Sequence, residues 1–464
     1  MKPLFLFLLS FSFFGLFATQ KSGEYAHVTQ ETLHQERTTK NFSETRKDFP
    51  LLTSKPNLVY FDNAASTQKP KEVIDTITKI YEHSYANIGR GTYQLSLEAG
   101  KAYETAREKT AHFINATPEE IIFVSGATEG INFIASTWGE KTIQEGDEIV
   151  LSVLEHNANL LPWLSLAQKK KATLKFIPVN SDGTIDLSNL DSIITSRAKL
   201  LAITQSSNAI GTHPHLEKII AKAHQVGALV LVDGAQSVPY GKVDIKELDV
   251  DFFVFSGHKM LAPTGIGVLY IKKGLQHYIP PYQLGGGMCV LNDDDSFTYK
   301  HSVSKFEAGT PPFVQAIGMG AAIDYLNTID FDLMQKHLAT FCKKTIEGLE
   351  KLPGVTIYGP KEELKKHGHL VSFSIEGLSS EDISDYLDQY GIAVRTGSHC
   401  AHKIACVLGY DSTVRVSFYL YNTLDEVDYF LGVIRKLIEE HKTSNLQSLF
   451  NLTEKNKRSC KQLN

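Results

Sequence analysis

Short, fully apolar runs alternate with amphipathic helical patterns in the first two thirds of the chain. Seven runs have the length of β-strands: 121–125, 148–153, 174–179, 200–205, 228–233, 252–256 and 267–272. Helical patterns separate several of them, at 128–138, 157–170 and 214–226. Strands that are apolar on both faces and joined by helices are typical of a mainly parallel sheet with helices on both sides. The pattern predicts a large α/β domain over residues 49–325 with a mainly parallel seven-stranded sheet.

The pattern changes in the last third of the chain. Long helical patterns lie near 331–352, 380–390 and 423–441, and short strand-like runs lie near 369–375 and 412–419. We expect a smaller C-terminal α/β domain over residues 326–441. The polar stretch 442–464 that follows is expected to be a loose tail.

The first 48 residues do not fit this globular pattern. Residues 1–19 form a hydrophobic, signal-like segment of the length of a signal-peptide core, although Leu16 makes a poor cleavage site. We expect secretory or organelle targeting, or membrane tethering; the alternative is a misplaced start codon. Residues 20–48 are polar and predict a linker, and their acidic residues are unusual for an organelle transit peptide.

Composition excludes several function classes. The 464 residues carry a net charge of −5, from 47 basic and 52 acidic residues, so a nucleic-acid-binding face is not expected. The five cysteines are odd in number and scattered, and none forms a C-x-x-C pair. The cysteines therefore do not indicate a disulfide framework. We expect no structural zinc site, because there is no C-x-x-C pair, and no other metal site.

One lysine directly follows a predicted buried strand. Lys259 ends the tetrapeptide SGHK, after the run 252–256. An ammonium group is costly to bury, so a lysine at such a position can have a lowered pKa and can form a Schiff base. The alternative is a surface lysine whose charged end reaches solvent.

A carboxylate ends a second predicted strand. Asp233 closes the run 228–233 and could pair with the protonated ring nitrogen of a pyridine cofactor, or cap a helix. Gln236 could reach the same ligand or complete the cap. The motif SGATEGIN opens a helix after the first apolar run; Gly126 permits the turn, and Thr128 with nearby N–H groups suits a phosphate.

Three further side chains are candidates for chemistry. His156 could stack on an aromatic cofactor and move protons, or be structural. Cys400 lies on a glycine-containing loop, RTGSHCA, either as a small hydrophobe or as a reactive thiol. The neighbours Arg395, His399 and His402 predict an electropositive setting that favours the thiolate. Arg415 could bind a substrate carboxylate, or form a surface salt bridge.

Nine motifs occur in order along residues 49–440: NLVYFDNAASTQKP, SGATEGIN, EHNANLLPW, QSSNAIGT, VDGAQS, SGHKMLAPTGIG, FEAGTP, YGIAVRTGSHCA and VRVSFYLYNT. Together they resemble the SufS-like (group II) cysteine desulfurases of the class V aminotransferase family. The resemblance implies the PLP-dependent transferase fold type I (aspartate aminotransferase-like), with pyridoxal 5′-phosphate (PLP) as cofactor. It also implies a homodimer whose active sites lie near the subunit interface.

The resemblance assigns roles to individual residues. Lys259 would hold PLP as a Schiff base, and Cys400 would carry sulfur as a persulfide. Around the cofactor it implies Asp233 at the pyridine nitrogen, Gln236 at the phenolic oxygen, His156 on the ring, Thr128, Ser256 and His258 at the phosphate with Ala127 beside it, and Thr310 at the phosphate of the neighbouring subunit. For the substrate it implies Asn208 beside it, Arg415 at its carboxylate and Arg395 near the thiol.

The implied reaction converts L-cysteine to L-alanine and leaves a persulfide on Cys400 for a thiol or an acceptor protein, in a pathway such as iron–sulfur cluster assembly. Members commonly have two histidines before this cysteine, where this chain has Ser398 and one histidine. They often have His-Arg-Gly where this chain has a glycine at position 89, and Cys406 is a further oddity because it could trap the persulfide as a disulfide.

Two alternatives remain open at this point. The same scaffold could act as a selenocysteine lyase, another β-eliminating lyase or an aminotransferase, although the cysteine of RTGSHCA disfavours the last of these. A catalytically silent scaffold subunit is the remote alternative, and the intact set of Lys259, Asp233, His156 and Cys400 argues against it.

Overall fold

The structure is a computed structural model that describes residues 42–294 and 296–460. The hydrophobic segment 1–19 and most of the expected linker lie outside the described residues. Within the described part, no helix has both the length and the apolar character needed to cross a bilayer.

The helices and strands of the described part follow in chain order. The α-helices are α1 (Phe42–Thr45), α2 (Pro50–Ser54), α3 (Lys71–Lys79), α4 (Gln94–Phe113), α5 (Ala127–Ile134), α6 (Glu140–Thr142), α7 (Leu161–Lys170), α8 (Leu190–Ile193), α9 (Leu216–Gln225), α10 (Ile245–Leu248), α11 (Phe313–Leu326), α12 (Phe331–Leu349), α13 (Lys361–His367), α14 (Ser380–Gln389), α15 (His402–Leu408) and α16 (Leu424–Cys460). The strands are β1 (Val59–Tyr60), β2 (Ile121–Val124), β3 (Glu148–Ser152), β4 (Thr173–Ile177), β5 (Ala198–Thr204), β6 (Leu229–Asp233), β7 (Phe252–Ser256), β8 (Gly267–Ile271), β9 (Cys289–Leu291), β10 (Phe297–Tyr299), β11 (Val355–Tyr358), β12 (Leu370–Ile375), β13 (Ile392–Ala393), β14 (Arg395–Gly397) and β15 (Thr413–Ser417). Single turns of 3-10 helix lie at Pro118–Glu120, Asn157–Asn159 and Gly257–Lys259, among others, and π-helical turns at Ile80–Ser84 and Ala135–Gly139.

The large sheet contains all seven predicted strands, in the order β2-β8-β7-β6-β5-β3-β4. Strands β3 to β7 run parallel to one another, whereas β8 is antiparallel to both β7 and β2. Most of these strands are buried along their whole length, because helices cover both faces of the sheet. The prediction of a mainly parallel seven-stranded sheet is confirmed.

The smaller C-terminal domain is built on an antiparallel sheet of four strands, in the order β11-β12-β15-β14. Helices α12, α14 and α16 pack with it through buried leucine, isoleucine and phenylalanine side chains. Strand β14 carries Arg395 and β15 carries Arg415, and the two arginines are directly paired in register.

Two polar stretches are more ordered than their composition indicates. Residues 42–48 form helical turns, and the Arg46 guanidinium in this stretch donates to Glu426 at 2.7 Å and to the Leu58 carbonyl at 2.8 Å. Helix α16 continues as far as Cys460, through a stretch expected to be a loose tail.

The 57–70 segment links the two domains. Its strand β1 pairs in parallel with β13, and Asp62 bridges to Ser417 at the end of β15. In sheets of this kind, ligands bind beyond the carboxyl ends of the parallel strands. The 57–70 segment, the C-terminal ends of β6 and β7, and the β14–α15 loop converge at that edge.

Candidate active site

A cavity of about 470 Å³ opens at the carboxyl ends of the parallel strands, a size suited to a cofactor and a small substrate. It is lined by all but one of the predicted site residues: Ala127, Thr128, His156, Asn208, Asp233, Gln236, Ser256, His258, Lys259, Arg395, Cys400 and Arg415. The exception is Thr310, which is exposed and does not line the cavity. Within the described residues, no cluster of three or more potential ligands could hold a metal ion.

The turn after β7 positions the candidate cofactor lysine. The strand is buried throughout and ends at Ser256, and a single turn of 3-10 helix, Gly257–Lys259, carries the amine back into the cavity. Desolvation lowers the pKa of Lys259 to about 8, and the Asp233 carboxylate opposes that shift only in part. A lysine with this pKa is neutral in about one tenth of the molecules at pH 7, far more than an ordinary lysine, which suits an amine that reacts with a carbonyl and moves protons.

The lysine turn is clamped by residues that sequence analysis missed. The carbonyl oxygen of His258 accepts from the Lys69 amine at 2.8 Å and from the Thr67 backbone N–H at 3.1 Å. The Ser66 hydroxyl donates to the same oxygen at 3.2 Å. Burial lowers the pKa of Lys69 to about 7. The clamp joins two segments 189 positions apart, so no local sequence pattern indicated it.

The carboxylate and the amide at the end of β6 face the same cavity. Asp233 is buried, and its Oδ1 accepts from the Ala235 N–H at 2.9 Å. Burial raises the pKa of Asp233, and the Lys259 amine counteracts this. The Gln236 Nε2 donates to the Ala64 carbonyl at 2.6 Å, while its buried Oε1 has no hydrogen-bond partner among the described residues.

The turn before α5 forms an anion cradle. The Ser256 hydroxyl accepts from the Ala127 N–H at 2.9 Å, which ties the end of β7 to the start of this helix. The turn passes so close to β8 that a Cβ on Gly267 would lie 2.5 Å from the Gly126 Cα. Backbone N–H groups at a helix N-terminus beside a hydroxyl are suited to a phosphate.

His156 is held neutral in one tautomer. Its Nδ1 accepts from the Ala158 N–H at 3.0 Å, so the ring proton must be on Nε2. Desolvation, with the positive charges of Lys259 and Arg415, lowers its pKa to about 4. The imidazole is therefore a hydrogen-bond donor through Nε2 at neutral pH.

The loop that carries Cys400 is strained and anchored to the large domain. His399 and Cys400 both have positive φ angles, of 55° and 54°, which residues with a side chain rarely adopt. The Asn157 N–H donates to the Cys400 carbonyl at 2.7 Å, and the Asn208 amide donates to the His399 carbonyl at 2.7 Å. Cys400 is exposed at the cavity mouth, and Cys406 is exposed on α15.

The expected electropositive setting of the thiol needs correction. His399 is 6% exposed, and its Nε2 lies 2.8 Å from the Thr413 hydroxyl. Burial lowers its pKa to about 3, so the ring is neutral at physiological pH and adds no charge. The Arg395 charge is largely neutralised by the Asp62 carboxylate. Burial of a histidine beside an exposed cysteine is not visible in the sequence.

Asp62 was missed by sequence analysis. Its carboxylate accepts from Arg395 Nε at 3.0 Å and Nη2 at 2.6 Å, and lies 3.5 Å from Arg415 Nη2. Arg415 is fully buried, and its Nη1 donates to the Asn208 carbonyl at 2.7 Å. Both candidate substrate-binding arginines therefore share one counter-ion.

Of the residues at which this chain differs from the resembled family, one lies in the cavity and the others lie outside it. Ser398 lines the cavity, and its hydroxyl lies 3.1 Å from His402 Nε2. Gly89 and Arg90 are exposed and do not line the cavity.

Known proteins resemble this chain in sequence and in fold. The Aminotransferase class-V profile matches residues 59–430. A protein of Enterobacter sp. (strain 638) named cysteine desulfurase is 43% identical over 397 residues, which cover 84% of this chain and 97% of that protein. A cysteine desulfurase of Cronobacter sakazakii (strain ATCC BAA-894) is 42% identical over 401 residues, covering 85% of this chain and 98% of that protein.

Solved structures with the same fold include the apo cysteine desulfurase from Thermococcus onnurineus NA1, with a TM-score of 0.82 at 39% identity over 85% of this chain and 97% of that chain. The cysteine desulfurase CsdA from Escherichia coli, solved in an S-sulfonic acid form, matches with a TM-score of 0.80 at 36% identity over 86% of this chain and 99% of that chain.

Proposed function

The chain belongs to the class-V aminotransferase family and is a PLP-dependent cysteine desulfurase, and we propose that it passes the sulfur of L-cysteine to Cys400 and releases L-alanine. The observation that carries this proposal is the position of an exposed cysteine in the same cavity as Lys259 and Asp233. An aminotransferase needs the lysine and the carboxylate but has no use for a thiol there.

The cavity fits PLP on its own chemistry. Asp233 offers a buried carboxylate to a pyridine nitrogen, and the unsatisfied Gln236 Oε1 indicates that a polar group is missing beside it. We propose that Lys259 binds PLP covalently, that His156 covers its ring, and that the α5 cradle with Thr128, Ser256 and His258 holds its phosphate. Bound PLP supplies an electron sink that stabilises negative charge at the substrate α-carbon.

Lys259 is the proposed base. Its pKa of about 8 leaves part of the amine neutral near pH 7, so Nζ can accept the α-proton of the substrate. The Asp233 carboxylate stabilises the ammonium that results. His156, with its proton on Nε2, is the proposed donor to the oxygen or nitrogen atoms of the bound ligand.

Arg415 is the proposed partner of the substrate carboxylate. A guanidinium suits this role because its planar fork matches a carboxylate. The bond from Nη1 to the Asn208 carbonyl fixes its plane, and its Nε is buried without a hydrogen-bond partner among the described residues. We propose that Arg415, held in this way, directs the side chain of the bound cysteine toward the Cys400 loop.

Cys400 is the proposed nucleophile. Its thiolate forms a sulfur–sulfur bond to the substrate thiol, the substrate carbon–sulfur bond breaks, and the β-carbon takes a proton to give L-alanine. The atoms of L-cysteine and one enzyme thiol equal those of L-alanine and one enzyme persulfide, so no external oxidant is required. A second thiol or an acceptor protein must then remove the outer sulfur.

Several finer assignments are part of the same proposal. The RTGSHCA loop supports the group II subfamily, and we propose iron–sulfur cluster assembly as the use of the sulfur. A homodimer is supported by exposed apolar side chains around the β9–β10 hairpin, namely Tyr278, Leu284, Val290, Leu291 and Phe297. We propose that Thr310, exposed nearby in sequence, reaches the cofactor of the partner.

The test is product release by the purified protein with PLP and a reductant. We expect equal amounts of alanine and sulfide from L-cysteine, and almost none from a Cys400→Ala variant that still binds PLP. If the variant keeps full activity on cysteine, the persulfide route is wrong. If it loses activity on cysteine but the wild type turns over selenocysteine far faster than cysteine, a selenocysteine lyase replaces the proposal.

A further inference from the structure

A second cavity, the seam cavity, has a volume of about 130 Å³ and lies between the large and the C-terminal domain. Its walls include Tyr240 and Lys242, which follow β6, and His213, which precedes α9. The C-terminal domain contributes His367, at the end of α13, and His369, in the turn before β12. None of these five residues lines the candidate active site, so the two cavities are distinct.

Two buried polar side chains of the seam cavity have no hydrogen-bond partners. The rings of Tyr240 and His369 stack with 3.9 Å between their centroids, and the two residues are 5% and 1% exposed. The Tyr240 hydroxyl and both ring nitrogens of His369 are without a partner among the described residues. Buried polar groups are nearly always hydrogen-bonded in folded proteins. The cavity therefore contains a partner for them, either water or a ligand.

The chemistry of the lining favours an anion. Lys242 is the one lysine or arginine among the described residues that line the cavity, and no aspartate or glutamate is among them. Desolvation lowers the pKa of His213 to about 4 and that of His369 well below its usual value, so both rings are neutral near pH 7. A neutral imidazole has one N–H to donate, and the Tyr240 hydroxyl is a second donor. A carboxylate accepts from such donors, and its charge matches the single ammonium.

We propose that the seam cavity binds a small monoanion of carboxylate chemistry. The anion accepts hydrogen bonds from the Tyr240 hydroxyl and the His369 N–H, and Lys242 attracts its charge. The volume equals that of about four water molecules, which accommodates an acetate-sized ion together with a water for the second His369 nitrogen.

An anion at this place connects the large domain to the sheet of the C-terminal domain. His369 directly precedes β12, and its carbonyl accepts from the Phe418 N–H at 2.8 Å. Strand β12 pairs with β15, where Ser372 lies opposite Arg415. The inference goes beyond the proposed reaction and does not depend on it.

The probes are acetate and its neutral isostere acetamide. Saturation-transfer difference NMR follows the methyl group of each probe on the PLP-bound protein, at constant ionic strength. We expect a saturable acetate signal. Acetate held by the active-site arginines contributes equally to the wild type and to the variants below, so a loss on substitution reports on the seam cavity.

Two variants and a control locate the binding. Lys242→Met removes an exposed charge and should weaken acetate about two- to fivefold while leaving acetamide unchanged. Tyr240→Phe keeps the stacked ring, removes one donor and should weaken both probes. Lys351→Met, at an exposed lysine that does not line the cavity, should change neither signal.

Equal acetate signals in the wild type and in Lys242→Met would overturn the inference, because the cavity would then hold water only. An equal loss of acetate and acetamide in Lys242→Met would also overturn it, because the charge of the ligand would play no part. The Lys242→Met result decides the matter even if Tyr240→Phe proves unstable, since Lys242 is exposed.

Discussion

The buried carboxylate of Glu307 fixes the FEAGTP segment to the rest of the large domain. Removing the charge of this carboxylate tests how much it stabilises the fold. The Glu307 side chain accepts from Arg107 Nη1 and Nη2, both at 2.8 Å. It also accepts from the Tyr103 hydroxyl at 2.8 Å and from the Phe123 N–H at 2.9 Å. The perturbation is Glu307→Gln, which keeps the shape and removes the charge.

The expected cost follows from burial. The Arg107 and Glu307 side chains are only 3% and 8% exposed. Water therefore cannot solvate the Arg107 guanidinium once its carboxylate partner has lost its charge. Each carboxylate oxygen accepts two donors, and a glutamine must turn its NH₂ group toward one of these pairs. Breaking one partner of a buried ion pair costs about 3–5 kcal/mol. We expect the variant to lose about that much unfolding free energy.

The assay is equilibrium unfolding in urea, followed by tryptophan fluorescence. The two tryptophans, Trp138 and Trp163, are buried in the large domain and report on its unfolding. The matched control is Asp75→Asn at the exposed pair with Lys71, where we expect a loss below about 0.5 kcal/mol. A Glu307→Gln loss no larger than that of the control would refute the reasoning.

The remaining predictions concern the lysine turn, the anion cradle and pH. Gly267→Ala should lower the free energy of unfolding in urea by about 1–3 kcal/mol, because the new Cβ meets backbone atoms. The control Gly274→Ala, which adds a Cβ in open space, should not lower it. Lys69→Met should weaken PLP binding to the apoprotein about tenfold in a cofactor titration, because the His258 carbonyl, just before Lys259, loses a hydrogen-bond donor. An unchanged affinity for PLP would contradict the role of Lys69 in positioning the lysine turn. The cavity histidines with lowered pKa values are His156, His258 and His399. Unfolding exposes them and they bind protons below about pH 6.5, so the urea midpoint of the apoprotein should fall from pH 6.5 toward pH 4. A midpoint that stays constant over this range would contradict the prediction.

The large sheet could be predicted from sequence because its strands are apolar on both faces. Each of the seven apolar runs became one of its strands, with boundaries that differ by at most two residues. The strand order and the antiparallel direction of β8 could not be predicted, since both depend on pairing between distant segments. Two-residue strands such as β1 are too short to leave a periodic pattern.

The cofactor end of the site was also accessible from sequence, because Asp233 ends one buried strand and Lys259 follows another. The residues that position them were not. Asp62 contacts Arg395 across 333 positions, and Lys69 contacts the His258 carbonyl across 189. The charge expected on His399 was wrong because its burial depends on tertiary packing that no local pattern encodes.

The central claim is that Cys400 receives the sulfur. The direct measurement is the mass of the Cys400-containing peptide after the holoenzyme reacts with one equivalent of L-cysteine in the absence of reductant. We predict the added mass of one sulfur atom on Cys400, in an amount equal to the alanine formed, and its removal by a thiol. Alanine formed in full while Cys400 stays unmodified would contradict the account.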